Sequence, residues 1–232
     1  MKDFDLSSFR QTSSVHYVFH YRPGSAADRD LAKIIQIQEK CFQKITNELG
    51  VKPTFPLHYV LCETPDEVGV IYGDNEPCNG FADTPDTVFA VYSDNVSCIG
   101  PHEDTHLIAT LIARPDSSFI REGLAMYMDR CWWGRPNEKW AAEFIQANQS
   151  ISLEELLCNE RFWVFPEEIT YPLSGAFTRW LVEEMGMRRY LEVVYRDGNQ
   201  TLASIEAFFG RSFSEIEQVF REWIAKTTKN HE

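Results

Sequence analysis

Two histidines four residues apart, His102 and His106, bracket Glu103, Asp104 and Thr105. Each residue of a helix advances roughly 100°, so positions i and i+4 lie about 40° apart in projection. Two imidazoles so placed can share one metal ion. Imidazole nitrogen suits zinc, and a catalytic zinc keeps three protein ligands and an open position for water. Glu103 flanks the same face, where it can take a proton from that water without being forced into the coordination shell. The other histidines, His16, His20, His58 and His231, fall in strand-like segments or in the tail. At the level of sequence they form no constellation.

A third ligand follows. Pro115-Asp116-Ser117-Ser118 marks a turn, and Phe119-Ile120-Arg121-Glu122-Gly123-Leu124-Ala125-Met126-Tyr127 opens a second helix. Two helices joined this way can pack antiparallel and bring Glu122 opposite the histidines. Gly123, with Ala125 near it, would allow close backbone approach at that crossing. Standing alone, a carboxylate early in a helix is explained by the helix dipole. Beside the HExxH spacing and before Gly-Leu-Ala, Glu122 is the expected third ligand. His102, His106 and Glu122 would then hold one zinc ion per chain, with Glu103 as general base. Asp129 lies two turns after Glu122 on the same face, and is a candidate to accept the outer N–H of a ligating histidine.

HEDTH followed by FIREGLAMY resembles the gluzincin branch of zinc metallopeptidases, in the broad peptidase MA-like group. The resemblance is strongest over residues 98–130 and extends more loosely to Tyr171-Pro172-Leu173-Ser174-Gly175-Ala176-Phe177. It implies a zincin-like fold, a zinc cofactor, a peptide or protein substrate, and hydrolysis of its peptide bonds. Carried over by position, His102, His106 and Glu122 are ligands and Glu103 the base. Tyr171 is the candidate donor to the oxyanion. Members also place a substrate-lining edge strand just before the motif helix, and residues 87–93 match it in order. Two residues depart from the usual pattern. Pro101 directly precedes the motif, so the helix must begin close to it. Asp104 projects to the packed side and needs a cation or several donors, for which Arg121 or Arg179 could serve.

Zinc chemistry does not specify the bond that is cut. A zinc hydrolase of a non-peptide amide would carry the same site. A catalytically inactive peptidase-like domain that binds a protein partner is a third reading, against which the four intact motif residues argue.

These residues need elements to hold them. Residues 14–21 alternate and are rich in aromatic and β-branched types, so they read as a strand, followed by a turn at Pro23-Gly24. Asp30 to Leu49 has helical period and stops at Gly50. Residues 57–62 read as a strand, Thr64 to Glu67 as a helix start, and 80–83 with 87–93 as a hairpin. Beyond residue 98 the period is helical, over about 101–113, 119–132, 136–148, 152–158, 172–186, 187–196, 200–209 and 213–227, with Gly186 and Gly198 as stops. Trp132, Trp133, Trp140, Phe162, Trp163 and Phe165 are expected to pack the helical part, although 161–166 could line a cleft. The fold class is α+β: one zincin-like domain over 1–232, with a mixed lobe over 1–113 ending in the motif helix, a helical lobe over 114–232, and a cleft where they meet.

Composition narrows the partners. The chain has 232 residues and a net charge of -13, which argues against nucleic acid and anionic lipid. No stretch approaches the roughly 18–20 apolar residues of a membrane span. The polar start does not read as a signal peptide. The six cysteines form no CxxC pair and lie in apolar stretches, so they are expected to be reduced and buried, with Cys78–Cys98 the one plausible disulfide. Together these features point to the cytoplasm. Oligomeric state is left open.

Overall fold

The computed structural model describes residues 4–147, 151–196 and 201–229. The expected helix stop at Gly198 and the tail residue His231 lie outside them. The chain is mixed α+β and divides into two compact units, Met1–Leu111 and Ile112–Glu232. Among the described residues, no helix is long and apolar enough to cross a membrane.

The first unit is built on a five-stranded sheet. Its strands are β1 (Arg10–Ser13), β2 (Tyr17–Tyr21), β3 (Leu57–Cys62), β4 (Gly80–Asp83) and β5 (Thr87–Val91), in the order β1-β2-β3-β5-β4. β2, β3 and β5 run parallel, while β1 and β4 pair antiparallel at the two edges. The expected strand over 14–21 is therefore shorter, and β1 before it completes a hairpin. Helix α1 (Ala26–Leu49) begins four residues before the predicted Asp30, because the Ser25 side chain accepts the Asp28 N–H and starts it there. Gly50 closes it at φ 67°, the left-handed geometry glycine adopts without cost. Helix α2 (Pro65–Tyr72) starts on Thr64, whose side chain accepts the Glu67 N–H. Helix α3 (Pro101–Ala109) carries the histidine motif and is shorter than the expected 101–113.

Alternation along the strands gives the sheet two different faces. One holds Val60, Cys62, Phe89 and Val91, packed with Val68 of α2 and with Phe4, Leu6 and Phe9. The other holds Tyr17, Phe19 and Tyr59, all buried, with Tyr17 against Phe42 of α1.

The second unit is almost wholly helical. It contains α4 (Ser118–Asp129), α5 (Asn137–Gln146), α6 (Leu153–Leu157), α7 (Asn159–Phe162), α8 (Glu167–Met185), α9 (Met187–Tyr190), α10 (Thr201–Phe209) and α11 (Phe213–Lys229). Two stretches depart from the expected helices. Arg130 turns into the left-handed region at φ 71° and ends α4, so Cys131–Trp132 (β6) and Arg135–Pro136 (β7) form a small hairpin. The helix expected from 172 begins at Glu167, with Pro172 inside it. Leu191–Tyr195 continues α9 as a π-helical turn. Phe119, Phe162, Phe177, Trp180 and Phe220 build the core, whereas Trp133 and Trp163 are exposed and do not pack as expected.

The six cysteines are all thiols, but only Cys62 is buried. The scatter of the others through apolar stretches did not translate into burial.

Candidate metal centre

Helix α3 starts at the motif. Gly100 precedes it at φ 151°, and Pro101 occupies the first turn, where its missing N–H costs nothing. His102 and His106 stand one turn apart, with ring centroids 5.0 Å apart and planes at 79°. Glu122 lies in the second turn of α4 and is 8% exposed. His102, His106 and Glu122 each offer one ligand atom, and these atoms all lie within 4.8 Å of one another. The donor set fits a catalytic zinc, which takes nitrogen and carboxylate oxygen from three side chains. The surroundings suit a cation too. On α8, the exposed residue Glu167 has its pKa raised, chiefly by burial of its carboxyl end and then by the carboxylates of Glu168 and Glu122.

Asp104 anchors α3 from behind. It is fully buried, and its donors are not the expected Arg121 or Arg179. Arg121 instead donates to the carbonyls of Pro115 and Asp116, and Arg179 pairs with Glu138 and Glu183. The donors to Asp104 Oδ2 are the Tyr17 hydroxyl at 2.5 Å and Gln38 Nε2 at 3.0 Å. The same Gln38 nitrogen lies 3.1 Å from the Gly100 carbonyl, so α1 grips both ends of the first turn of α3. Burial pushes the Asp104 carboxyl up to about 8, against the two donors and with help from Glu103. A neutral acid is the economical state for a carboxyl with so few donors. Oδ2 accepts both bonds, and Oδ1 is buried with no hydrogen-bond partner among the described residues.

Glu103 faces the sheet edge. A Cβ added to Gly80 of β4 would stand 3.6 Å from Glu103 Oε1 and 3.2 Å from the Phe89 carbonyl. The strand beside Glu103 is thus β4, and β4 is the edge. Residues 87–93 were expected to supply an edge strand; β5 instead lies between β3 and β4 with every residue buried. A strand lies in 87–93 as expected, but edge position depends on strand pairing, which a single segment does not encode.

Gly123 has a different role from the one expected. A Cβ there would meet Thr178 Oγ1 at 2.5 Å and the Ser174 carbonyl at 3.0 Å, so the glycine admits α8 against α4. Gly175 answers it from α8, where a Cβ would lie 2.6 Å from the Met126 Cβ. Tyr171 is inside α8 rather than at its start, with its ring 5.0 Å from that of Trp132 and 6.0 Å from that of Phe162. Asp129 is the last residue of α4 and half-buried. Tyr127 is buried, with the Arg130 guanidinium 3.9 Å over its ring.

One pair escaped the sequence reading. His20 Nε2 lies 3.0 Å from His58 Nδ1, across β2 and β3. The parallel register pairs His58 with Val18, two residues before His20, and so puts both rings on one face. Only the register could have revealed it. His16 pairs separately with Glu39 at 2.6 Å.

Comparison of the chain with protein-family models found no match, and neither did comparison with curated proteins.

Proposed function

We propose that this chain is a zinc-dependent metallopeptidase of gluzincin type with a zincin-like fold. The observation that carries the reading is the convergence of His102, His106 and Glu122, with ligand atoms within 4.8 Å of one another, beside Glu103. Zinc held there would supply Lewis acidity, lowering the pKa of a water to about 7 and polarising a carbonyl. The remaining work belongs to side chains. Glu103 accepts a proton from the attacking water and delivers it to the leaving nitrogen. β4 is the edge strand of its sheet and lies next to Glu103, the position at which an extended peptide could add as a further strand. That placement favours a peptide over another amide. Tyr171 is assigned the oxyanion, and its contacts with Trp132 and Phe162 restrict the ring. Asp129 is assigned to orient a ligating histidine. We place the protein in the cytoplasm on the strength of its thiols.

The test pairs metal analysis with a peptide-library cleavage assay on wild type and Glu103→Gln. The expected result is about one zinc per chain in both, with cleavage in the variant down about 10²–10⁴-fold. Protein that neither retains nor takes up zinc would remove the site. Cleavage that survives in Glu103→Gln would remove Glu103 as base.

A further inference from the structure

The second unit contains a cavity of about 830 Å³, within the size range of small-molecule sites. Its lining includes none of His102, Glu103, His106 and Glu122. Its wall includes Tyr127, five residues after Glu122 on α4 and so about 140° round that helix.

The lining is unusual for so acidic a chain. Three cations, Arg130, Lys139 and Arg179, face two acids, Glu138 and Glu183. Both acids are committed to the same arginine: Arg179 reaches Glu138 at 3.0 Å and Glu183 at 2.8 Å. Glu138 is buried, and Trp223 Nε1 donates to Glu183 at 3.1 Å, which fixes this network in place. Arg130 and Lys139 are left over. Arg130 lies over the Tyr127 ring, which holds the guanidinium flat without neutralising it. Lys139 has no ion pair among the described residues. The cavity therefore carries a net positive charge in a protein whose net charge is -13. Tyr127 and Val182 add apolar surface.

We propose that this cavity binds a small organic anion, a carboxylate or a phosphate monoester. Arg130 and Lys139 hold the charged group, and the apolar part lies against Tyr127 and Val182. A neutral molecule of the same shape would leave the two cations unused. A divalent anion has a partner for each of them.

Phenyl phosphate, benzoate and neutral benzyl alcohol, titrated calorimetrically into the full chain, test this. At least one anion is expected to bind and benzyl alcohol is not; whichever anion binds tighter identifies the headgroup. Arg130→Asn, chosen because asparagine tolerates the left-handed backbone at this position, and Lys139→Gln should each weaken binding about three- to ten-fold. The double variant should lose it. Lys139 is exposed, so its variant keeps the test valid even if Arg130→Asn is poorly folded. No binding of either anion to wild type, equal binding of the alcohol, or undiminished affinity in Lys139→Gln and the double variant would overturn the proposal. The same variants should retain zinc, so failure here is distinguishable from failure of the metal centre.

Discussion

The two helices that carry the candidate ligands are mounted in opposite ways. Helix α3 is held in the first unit by polar contacts: Asp104 accepts from Tyr17 and Gln38, and Gln38 also ties down the Gly100 carbonyl. Helix α4 is held in the second unit by close approach, with Gly123 against Ser174 and Thr178, and Gly175 against Met126. A polar mount fixes direction, since hydrogen bonds fail outside a narrow angle. A small-residue mount fixes distance, since one methyl group is too many. The difference teaches that ligand placement can rest on either constraint, and that each should fail in its own way.

Gly123→Ala should do the most damage to stability. Its Cβ would stand 2.5 Å from Thr178 Oγ1 and 3.0 Å from a backbone carbonyl, so α4 and α8 must separate, at about 1–3 kcal/mol. Urea denaturation would measure it, and adding Thr178→Ala should restore part of the loss. No rescue would mean that the Ser174 backbone contact dominates. Tyr17→Phe comes next. It removes one of two donors to a buried carboxyl and should cost about 1–2 kcal/mol. If zinc affinity also falls while the far-ultraviolet circular dichroism stays native, the polar mount sets direction as argued. A loss of stability alone would reduce the contact to ordinary packing.

The smallest effect is expected at His20. Burial, and then the neighbouring His58, lower its folded pKa. The unfolded chain therefore takes the proton first. Stability is full above the unfolded value of about 6.5 and is lost as pH falls through the lower folded value. His20→Gln should flatten the difference between urea midpoints at pH 7.5 and pH 5.5 (conditions chosen to bracket that unfolded value). An unchanged slope would assign the acid sensitivity to other groups.

Local chemistry was legible in the sequence where one segment determines it. The i and i+4 spacing put His102 and His106 side by side, Thr64 and Gly50 acted as helix boundaries, and the strand expected over 57–62 is β3. Features that depend on distant partners were not legible. The donors to Asp104 come from β2 and α1, far along the chain from α3. The buried position of β5 and the His20–His58 pair both follow from strand order and register. Gly123 was rightly read as a close-approach residue, but a glycine does not say which helix approaches it.

The start of α3 at Pro101 has an electrostatic consequence. His102 and Glu103 lie in the first turn, where unpaired amide groups form the positive pole of the helix dipole. That pole repels any cation brought to the histidines. Two neutral imidazoles offer little against it, whereas the Glu103 carboxylate in the same turn does. Its negative charge is counterion to the helix end, and would serve any cation placed there in the same way.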